Sequence, residues 1–313
     1  MKAAVVEHHG DAGSIKDVPV PQPGPHEVLV RVVAAGVNPI DWKRRERAQQ
    51  RLPFVLGQDF AGVVSETGDR VQKYRNGERI FGIARDHGAF AEYTLVPEDG
   101  PGQPVAKIPD DVGDADAAAV PTAGLTALAG LEALGVGKDT TLLVLGATGG
   151  VGSFAVQMAR DRGARVIAIA RSANEGLARS LGADEFIGYD KDDVVASVRA
   201  AHPDGVDAIL DLVDDADAIK RTGALLRDGG RIVSTIGAAD VGWFANRKAV
   251  ATNVVMLETP EGTHAGLRTL LELLERGAIR VMIAGERPLA EAVAALEESK
   301  GGTVDGKLVI TVN

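Results

Sequence analysis

The stretch that decides the fold reads Leu142-Leu143-Val144-Leu145-Gly146-Ala147-Thr148-Gly149-Gly150-Val151-Gly152. An apolar run of strand length leads into a glycine-rich turn, and apolar residues then recur at helical spacing. This order makes a dinucleotide-binding fingerprint, here A-x-G-x-x-G with alanine in the first position. We expect Gly149 to let the backbone approach a pyrophosphate and Gly152 to let the helix pack closely on the strand. The predicted cofactor-binding residues of the loop are Gly146, Ala147, Thr148, Gly149, Gly150, Val151 and Gly152.

Strand-like and helical segments alternate around this turn, which argues against the alternative of a tight turn that binds nothing. The strand-like segments are residues 141–145, 165–170, 185–187, 206–212, 231–236 and 253–257. Helices are expected after the glycine-rich turn and at residues 192–201 and 215–226. Repeated alternation predicts parallel βαβ units with right-handed crossovers. The predicted fold class is therefore α/β, with a Rossmann doubly wound parallel sheet.

The first hundred residues follow another pattern, because short apolar segments are separated there by turns rich in Gly, Pro, Asn and Asp. This pattern predicts an antiparallel, barrel-like domain with strands at residues 28–33, 61–64, 79–82 and 90–96. The C-terminal tail is expected to pack back on that domain through helices and a last strand, at residues 266–276, 289–299 and 306–310. The predicted domains are thus residues 1–118 with 260–313, and residues 119–259.

The end of the second Rossmann strand indicates which nicotinamide cofactor binds. NAD enzymes usually place Asp or Glu there to hold the ribose 2′-hydroxyl. In this chain the strand ends in Arg171-Ser172, and no carboxylate follows until Glu175. A guanidinium and a hydroxyl suit a 2′-phosphate, so the sequence favours NADP(H). The alternative is that Arg171 is only a surface residue at a strand end.

Composition excludes several classes of protein. The 313 residues include no cysteine, so disulfides, thiolate catalysis and Cys-based zinc sites are ruled out. The six histidines lack ligand-like spacing, and we expect no bound metal. A net charge of −10 argues against nucleic-acid binding. No apolar run is long enough to cross a membrane, and Met1-Lys2-Ala3 does not begin a signal peptide, so a cytoplasmic protein is expected.

The whole chain resembles the quinone oxidoreductase branch of the medium-chain dehydrogenase/reductase superfamily. The resemblance rests on four segments: Ala35-Gly36-Val37-Asn38-Pro39-Ile40-Asp41-Trp42, Leu56-Gly57-Gln58-Asp59-Phe60-Ala61-Gly62, Gly124-Leu125-Thr126-Ala127 and Ser180-Leu181-Gly182-Ala183-Asp184. It implies a GroES-like β-rich catalytic domain beside the Rossmann domain, and an active site in the cleft between them. It also implies a homodimer, in which the strand at residues 253–257 pairs with its symmetry mate.

The resemblance further implies chemistry without zinc. Where zinc alcohol dehydrogenases of the superfamily place Cys, His and Cys, this chain has Asn38, Gln58 and Thr122. Amide and hydroxyl groups are poor substitutes for thiolate and imidazole around zinc. Without a Lewis acid the oxidation of simple alcohols is unattractive. The implied reaction is hydride transfer from NADPH to a small electrophilic acceptor, namely a quinone, an enone or another activated carbonyl compound.

The resemblance and the residue types together suggest roles in this site. Asn38 and Gln58 are candidates to donate hydrogen bonds to the acceptor's carbonyl oxygen. Asp41 is a weaker catalytic candidate, because it can simply cap or orient its loop, and the same holds for Asp59. Tyr189 is expected near the adenosine. The expected pocket residues, for which ordinary packing is the alternative, are Trp42, Phe54, Thr122, Trp243 and Phe244.

Two further functions stay open at this point. One is an enoyl reductase of a specialised pathway, which differs from a quinone or enone reductase only in its substrate. The other is an NADPH-binding protein that has a structural or regulatory role and little turnover. Neither the natural acceptor nor the pathway follows from the residues.

Overall fold

The computed structural model describes residues 1–47, 51–84, 88–100 and 102–312, so His87 lies outside the described residues. The chain divides into two compact units. Unit 1 comprises residues 1–123, 262–270 and 281–313, and unit 2 comprises residues 124–261 and 271–280.

The strands, in chain order, are β1 (Lys2–Val6), β2 (Ser14–Asp17), β3 (Glu27–Gly36), β4 (Phe54–Val55), β5 (Asp59–Thr67), β6 (Arg79–Ile83), β7 (Tyr93–Pro97), β8 (Val105–Lys107), β9 (Thr141–Leu145), β10 (Arg165–Ala170), β11 (Glu185–Gly188), β12 (Val206–Asp211), β13 (Leu226–Ser234), β14 (Val250–Asn253), β15 (Ile283–Pro288) and β16 (Lys307–Thr311). The helices are α1 (Pro39–Arg45), α2 (Asp114–Ala119), α3 (Pro121–Leu134), α4 (Gly150–Asp161), α5 (Glu175–Leu181), α6 (Val194–Ala201), α7 (Ala218–Gly223), α8 (Val241–Ala245), α9 (His264–Glu275) and α10 (Ala292–Lys300). Short 3₁₀ turns occur at Ser172–Asn174, Met256–Glu258 and Leu289–Glu291.

Unit 1 is the β-rich domain that the sequence predicts. Its larger sheet has the order β15-β16-β3-β5-β6-β8, with β7 also paired to β3, and its smaller sheet has the order β2-β1-β4. The strand pairs are antiparallel except for β15 beside β16. Because β16 pairs with β3, the end of the chain lies beside the start of α1. This pairing brings the last strand to the candidate site.

Unit 2 contains a parallel sheet of order β11-β10-β9-β12-β13-β14. This is the Rossmann strand order, with β9 as the first strand, and it confirms the predicted doubly wound sheet. Helices cover such sheets on both faces, so their strands are almost continuously apolar. Accordingly Leu143, Ile167, Ile209 and Ile232 are fully buried. The predicted bounds of β9 and β10 coincide with those of the structure.

The predicted strand at residues 253–257 is wrong. The sixth strand is β14, Val250–Asn253, and a 3₁₀ turn follows it. Its ladder ends at Asn253 because this residue pairs with Ser234, the last residue of β13. The Asn253 side chain then bonds to the backbone N–H and carbonyl of Ala239. An apolar run in the sequence did not reveal where the partner strand stops.

Three segments lie on the other side of the predicted domain boundaries, namely residues 119–123, 260–261 and 271–280. Residues 119–123 belong to unit 1, where Thr122 bonds to Asp59. Residues 271–280 belong to unit 2, where the Arg276 guanidinium bonds to the Asp161 carboxylate at the end of α4. Sequence patterns do not reveal side-chain contacts of this kind. Among the described residues, every helix is too short or too polar to span a lipid bilayer.

Candidate active site

The glycine-rich loop joins β9 to α4 and is held against the end of β10. The backbone N–H groups of Gly146 and Ala147 both donate to the carbonyl of Ile169, at 3.0 Å. Gly146 has a φ of 84°, in the left-handed region that favours glycine. A Cβ atom on Gly152 would lie 2.1 Å from the carbonyl oxygen of Gly146. Gly152 therefore has to be glycine for α4 to begin this close to the strand.

Gly149 differs from these glycines because open space lies next to it. A Cβ atom there would meet only the carbonyl oxygen of Gly146, at 3.5 Å. Its φ of −72° is accessible to any residue, so no backbone strain requires glycine at this position. It precedes the first turn of α4, in which the N–H groups of Gly150 and Val151 have no helical partner by geometry. This arrangement fits a pyrophosphate held by a helix N-terminus.

Arg171 and Tyr189 lie together beside the loop, at the ends of β10 and β11. The Arg171 Nε donates to the Tyr189 hydroxyl at 3.2 Å, and the Tyr189 side chain is half exposed. The parallel register pairs Ala170 with Gly188, which places the residues after both strands next to each other. The structure thus unites two residues that the sequence predicted separately, one for a 2′-phosphate and one for an adenosine.

Asp190 is a neighbour that the sequence analysis missed. Its carboxylate accepts from the backbone N–H of Ser172 at 2.6 Å and from the Ser172 hydroxyl at 2.7 Å. These hydrogen bonds lower the pKa of Asp190, so the side chain is ionised at neutral pH. A carboxylate from the neighbouring strand therefore lies at the end of β10, where the sequence of β10 itself supplies only Arg171 and Ser172. The parallel pairing of β10 with β11 was the signal that could have revealed it.

Asn38 lies in unit 1, immediately before α1, and is 2% exposed. Its Nδ2 donates to Asp59 Oδ2 at 2.9 Å and to the carbonyl oxygen of Gly36 at 3.3 Å. Its Oδ1 accepts from the Lys307 ammonium. Both amide hydrogens and the amide oxygen are thus engaged inside the protein. This leaves Asn38 poorly suited to donate to a substrate.

Asp59 is the centre of the buried network around Asn38. Its Oδ2 also accepts from the Thr122 backbone N–H at 3.0 Å, and its Oδ1 accepts from the Thr122 hydroxyl at 2.5 Å. The Gln58 Nε2 in turn donates to Thr122 Oγ1 at 2.7 Å. Burial raises the pKa of Asp59, although Lys307 and the hydrogen bonds oppose that rise. The three residues predicted at the zinc-ligand positions are therefore joined through one carboxylate.

Lys307 is the second residue that sequence analysis missed, and it is 3% exposed. Its ammonium donates to the carbonyl oxygen of Val37 at 2.7 Å as well as to Asn38. Burial lowers the pKa of Lys307, and the nearby Asp59 and Asp41 counteract that effect. A lysine at the start of an apolar strand is normally a surface residue. Only the pairing of β16 with β3 shows that this one is enclosed.

Asp41 caps α1, which is the role that the sequence analysis gave as the alternative to a catalytic one. Its Oδ2 accepts from the backbone N–H of Asn38 at 2.9 Å. Its Oδ1 is buried and has no hydrogen-bond partner among the described residues. Burial raises the pKa of Asp41 to about 7, and the charge on Asp59 adds to that rise. The Asp41 carboxyl therefore changes its protonation near neutral pH.

The aromatic candidates have different surroundings. Phe244 is fully buried in the core of unit 2. A Cβ atom on Gly223 would lie 2.3 Å from its ring. The expectation that Phe244 forms a wall of the pocket is therefore wrong. Trp243 packs edge-on against Phe244, and the Arg247 guanidinium covers its ring at 3.6 Å. These two rings stabilise the packing of α8.

The two aromatic candidates of unit 1 are half-buried. The Trp42 ring has the Lys43 and Lys300 ammonium groups 5.5 and 5.6 Å from its centroid. Phe54 packs against the hydrophobic core and lies 5.8 Å from the Arg44 guanidinium. Cationic groups thus flank both rings, and their role as a wall for a flat acceptor stays a prediction.

Comparison with known proteins places this geometry in a family. Residues 24–110 match the alcohol dehydrogenase GroES-like domain, and residues 181–310 match a family described as zinc-binding dehydrogenase. A chloroplast envelope quinone oxidoreductase homolog from Arabidopsis thaliana is 31% identical and covers 94% of this chain and 92% of its own length. The chain belongs to the quinone oxidoreductase branch of the medium-chain dehydrogenase/reductase superfamily.

Two further members of this superfamily bear on substrate and cofactor. A 2-methylene-furan-3-one reductase from Solanum lycopersicum is 32% identical over 99% of this chain and 79% of its own length. A solved mycobacterial structure in complex with NADPH has a TM-score of 0.88 and 28% identity, and covers 99% of this chain and 100% of its own. The protein is thus an oxidoreductase of this superfamily with a Rossmann-type site for a nicotinamide cofactor.

The residues present do not fit the zinc that one of the matching families is named for. The donors at the positions predicted to match the zinc ligands are two amides and a hydroxyl, and Thr122 and Asn38 already bond to Asp59. No group of three His, Cys, Asp or Glu side chains that could hold a metal occurs in the part of the chain that the structure describes. We derive no step through a metal at this site.

Proposed function

We propose that the protein is an NADPH-dependent, zinc-independent reductase that transfers hydride to a quinone, an enone or another activated carbonyl compound. The observation that supports this proposal most is the buried hydrogen-bond network of Lys307, Asn38, Asp59 and Thr122, which ends at Gln58. At the positions predicted to match the zinc ligands, this chain has neutral groups that are hydrogen-bonded within the protein, whereas a zinc enzyme needs anionic or imidazole ligands. The acceptor therefore has to be electron-poor already. Relatives named for quinone and furanone reduction support that substrate class.

The bound nicotinamide would supply the hydride, and the residues of unit 2 would hold the cofactor. The first turn of α4 binds the pyrophosphate through its N–H groups, next to the open space at Gly149. Arg171 and Tyr189 take the adenosine ribose and its 2′-phosphate, for which a guanidinium is well suited. A related structure solved with NADPH supports this choice of cofactor.

Gln58 is the proposed hydrogen-bond donor to the acceptor's carbonyl oxygen. One of its amide hydrogens bonds to Thr122, and the other is the proposed donor as negative charge develops on that oxygen. Asn38, in contrast, is a positioning residue, because its amide group is hydrogen-bonded to Gly36, Asp59 and Lys307. The network of Thr122, Asp59, Asn38 and Lys307 keeps the Gln58 amide in place without a metal.

The assay is NADPH consumption by the chelator-treated protein with a panel of quinones and enones. Turnover of at least one class is the expected result, and the same panel would identify an enoyl substrate. Tight NADPH binding without turnover of any acceptor would contradict the proposal. It would favour the structural or regulatory role instead.

The proposed assembly is a homodimer that pairs through β14. This strand ends the order of the parallel sheet, and Val250 on it is 55% exposed. In the sheet of the described residues this strand lies at the edge, and an edge strand with an exposed apolar residue is suited to pairing with a second copy. Light scattering of the purified protein should give twice the chain mass, and replacement of Val250 with lysine should shift it towards monomer. A monomeric wild-type protein at micromolar concentration would rule out this assembly.

A further inference from the structure

The acidic group that NAD enzymes place at the end of their second strand has a spatial counterpart here. It comes from the neighbouring strand, because Asp190 follows β11 and reaches the end of β10. Its two carboxylate oxygens are 2.6 and 2.7 Å from the Ser172 backbone nitrogen and hydroxyl oxygen. Arg171 precedes Ser172 at the end of β10, Tyr189 precedes Asp190 at the end of β11, and these two residues bond to each other. The Arg171 cation and the Asp190 anion thus follow two neighbouring strands, at the place proposed for the adenosine ribose.

These two charges act in opposite directions on the two cofactors. A 2′-phosphate carries nearly two negative charges, which Arg171 attracts and an ionised Asp190 repels. A ribose 2′-hydroxyl carries no charge, and a carboxylate oxygen with a free lone pair is the usual acceptor for it. Each carboxylate oxygen of Asp190 accepts one hydrogen bond from Ser172 and can accept a second one.

We propose that Asp190 is a specificity-determining residue that opposes Arg171 and limits the preference of the enzyme for NADPH over NADH. This inference rests on the proposed function in that it places the adenosine ribose at Arg171 and Tyr189. Asp190 retains the binding of NADH, and Arg171 provides the additional affinity for NADPH. The ratio of the two affinities is set by two residues on neighbouring strands.

Asp190 also has a structural role, since it holds the 3₁₀ turn that begins at Ser172. The test variant therefore has to remove the charge and keep an acceptor. Asp190→Asn does so, because the amide oxygen can still accept from Ser172. Asp192→Asn is the matched control, since it removes a charge from an exposed residue of the same turn whose backbone N–H bonds to Gly188.

The measurement is the dissociation constant of NADPH and of NADH for each folded variant, by fluorescence titration without any acceptor. Asp190→Asn should bind NADPH about three- to tenfold more tightly, as expected for one exposed charge facing a doubly charged phosphate. NADH should bind no more tightly than to the wild type. Asp192→Asn should change the ratio of the two constants by less than about twofold, because its charge is farther along the turn and screened.

Salt separates a charge effect from a structural one. The gain of Asp190→Asn should shrink at high ionic strength, because salt screens the repulsion between exposed charges. An equal change for NADPH and NADH, a gain no larger than that of Asp192→Asn, or a salt-independent gain would overturn the inference. Arg171→Gln tests the underlying cofactor proposal separately: if it leaves NADPH affinity unchanged, the 2′-phosphate lies elsewhere, whatever Asp190→Asn does.

Discussion

The glycine-rich loop of unit 2 and the buried network of unit 1 differ in which groups they contain and in how exposed those groups are. The loop offers backbone N–H groups, open space at Gly149 and exposed side chains such as Tyr189. The network consists of enclosed side chains, and Asn38, Asp59 and Lys307 satisfy one another. A loop of this kind is disturbed by added bulk, whereas a buried network is disturbed by the loss of a single charge. The predictions below test that difference.

The largest effect is expected from removing the cation of the network. Lys307→Met leaves the buried Asp59 without its counter-charge and Asn38 Oδ1 without a donor. Leaving a buried charge without a compensating charge nearby typically costs about 3–5 kcal/mol of the free energy of unfolding. Lys300→Met is the control, since the exposed Lys300–Glu46 pair is worth at most about 1 kcal/mol. Urea unfolding of both variants measures this, and equal midpoints would show that the network is not a charged unit.

Added bulk in the loop should remove cofactor binding without unfolding the protein. Gly149→Val places branched carbons in the space assigned to the pyrophosphate, and we expect NADPH affinity to fall by more than about a hundredfold. The fold should persist, because the φ of −72° suits valine and the nearest atom is 3.5 Å away. Gly137→Val, in open space before β9, is the control for glycine replacement. Retained NADPH affinity in a folded Gly149→Val protein would place the cofactor elsewhere.

Within the network, the proposed donor and the positioning residue should give different kinetic signatures. Gln58→Leu should lower kcat/KM for enones by about 10²-fold, because loss of one preorganised donor typically costs that much. Quinones are stronger electrophiles and should lose less. Asn38→Ala should instead slow both substrates alike and lower the melting temperature, because it frees Asp59 and Lys307 from a shared partner. Reversed signatures would make Asn38 the donor.

The smallest effect concerns the pH dependence of stability. The pKa of Asp41 is raised to about 7 in the folded protein, from about 3.8 in the unfolded chain. The folded state therefore binds its proton more tightly, and this contribution to stability is complete below pH 4 and is lost as the pH rises to 7. The loss is at most about 1.4 kcal/mol per pH unit. Urea unfolding at pH 5 and pH 7.5 should show it in the wild type and in Asp192→Asn, and not in Asp41→Asn. Parallel pH dependences would contradict the shifted pKa.

Sequence reasoning succeeded where consecutive residues determine the structure. The bounds of β9 and β10 and the glycine requirement at Gly152 follow from local patterns. Asp190 and Lys307 escaped it because each reaches its partner through strand pairing, between β10 and β11 and between β16 and β3. Local apolarity also could not distinguish a pocket wall from the core position that Phe244 occupies.

Hydride transfer from NADPH to an electron-poor acceptor, without a metal, is the step on which the proposed function depends. A single-turnover experiment with NADPH deuterated at the transferred position of C4, after exhaustive chelation, tests it most directly. The expected result is deuterium bound to carbon in the reduced enone, a slower rate than with unlabelled NADPH for both enones and quinones, and no gain on adding zinc. The reduced quinone itself should hold no deuterium, because a label on a hydroquinone oxygen exchanges with water. At saturating NADPH, an enone product without deuterium together with no isotope effect for any acceptor, or transfer that returns only with zinc, would contradict metal-free hydride transfer.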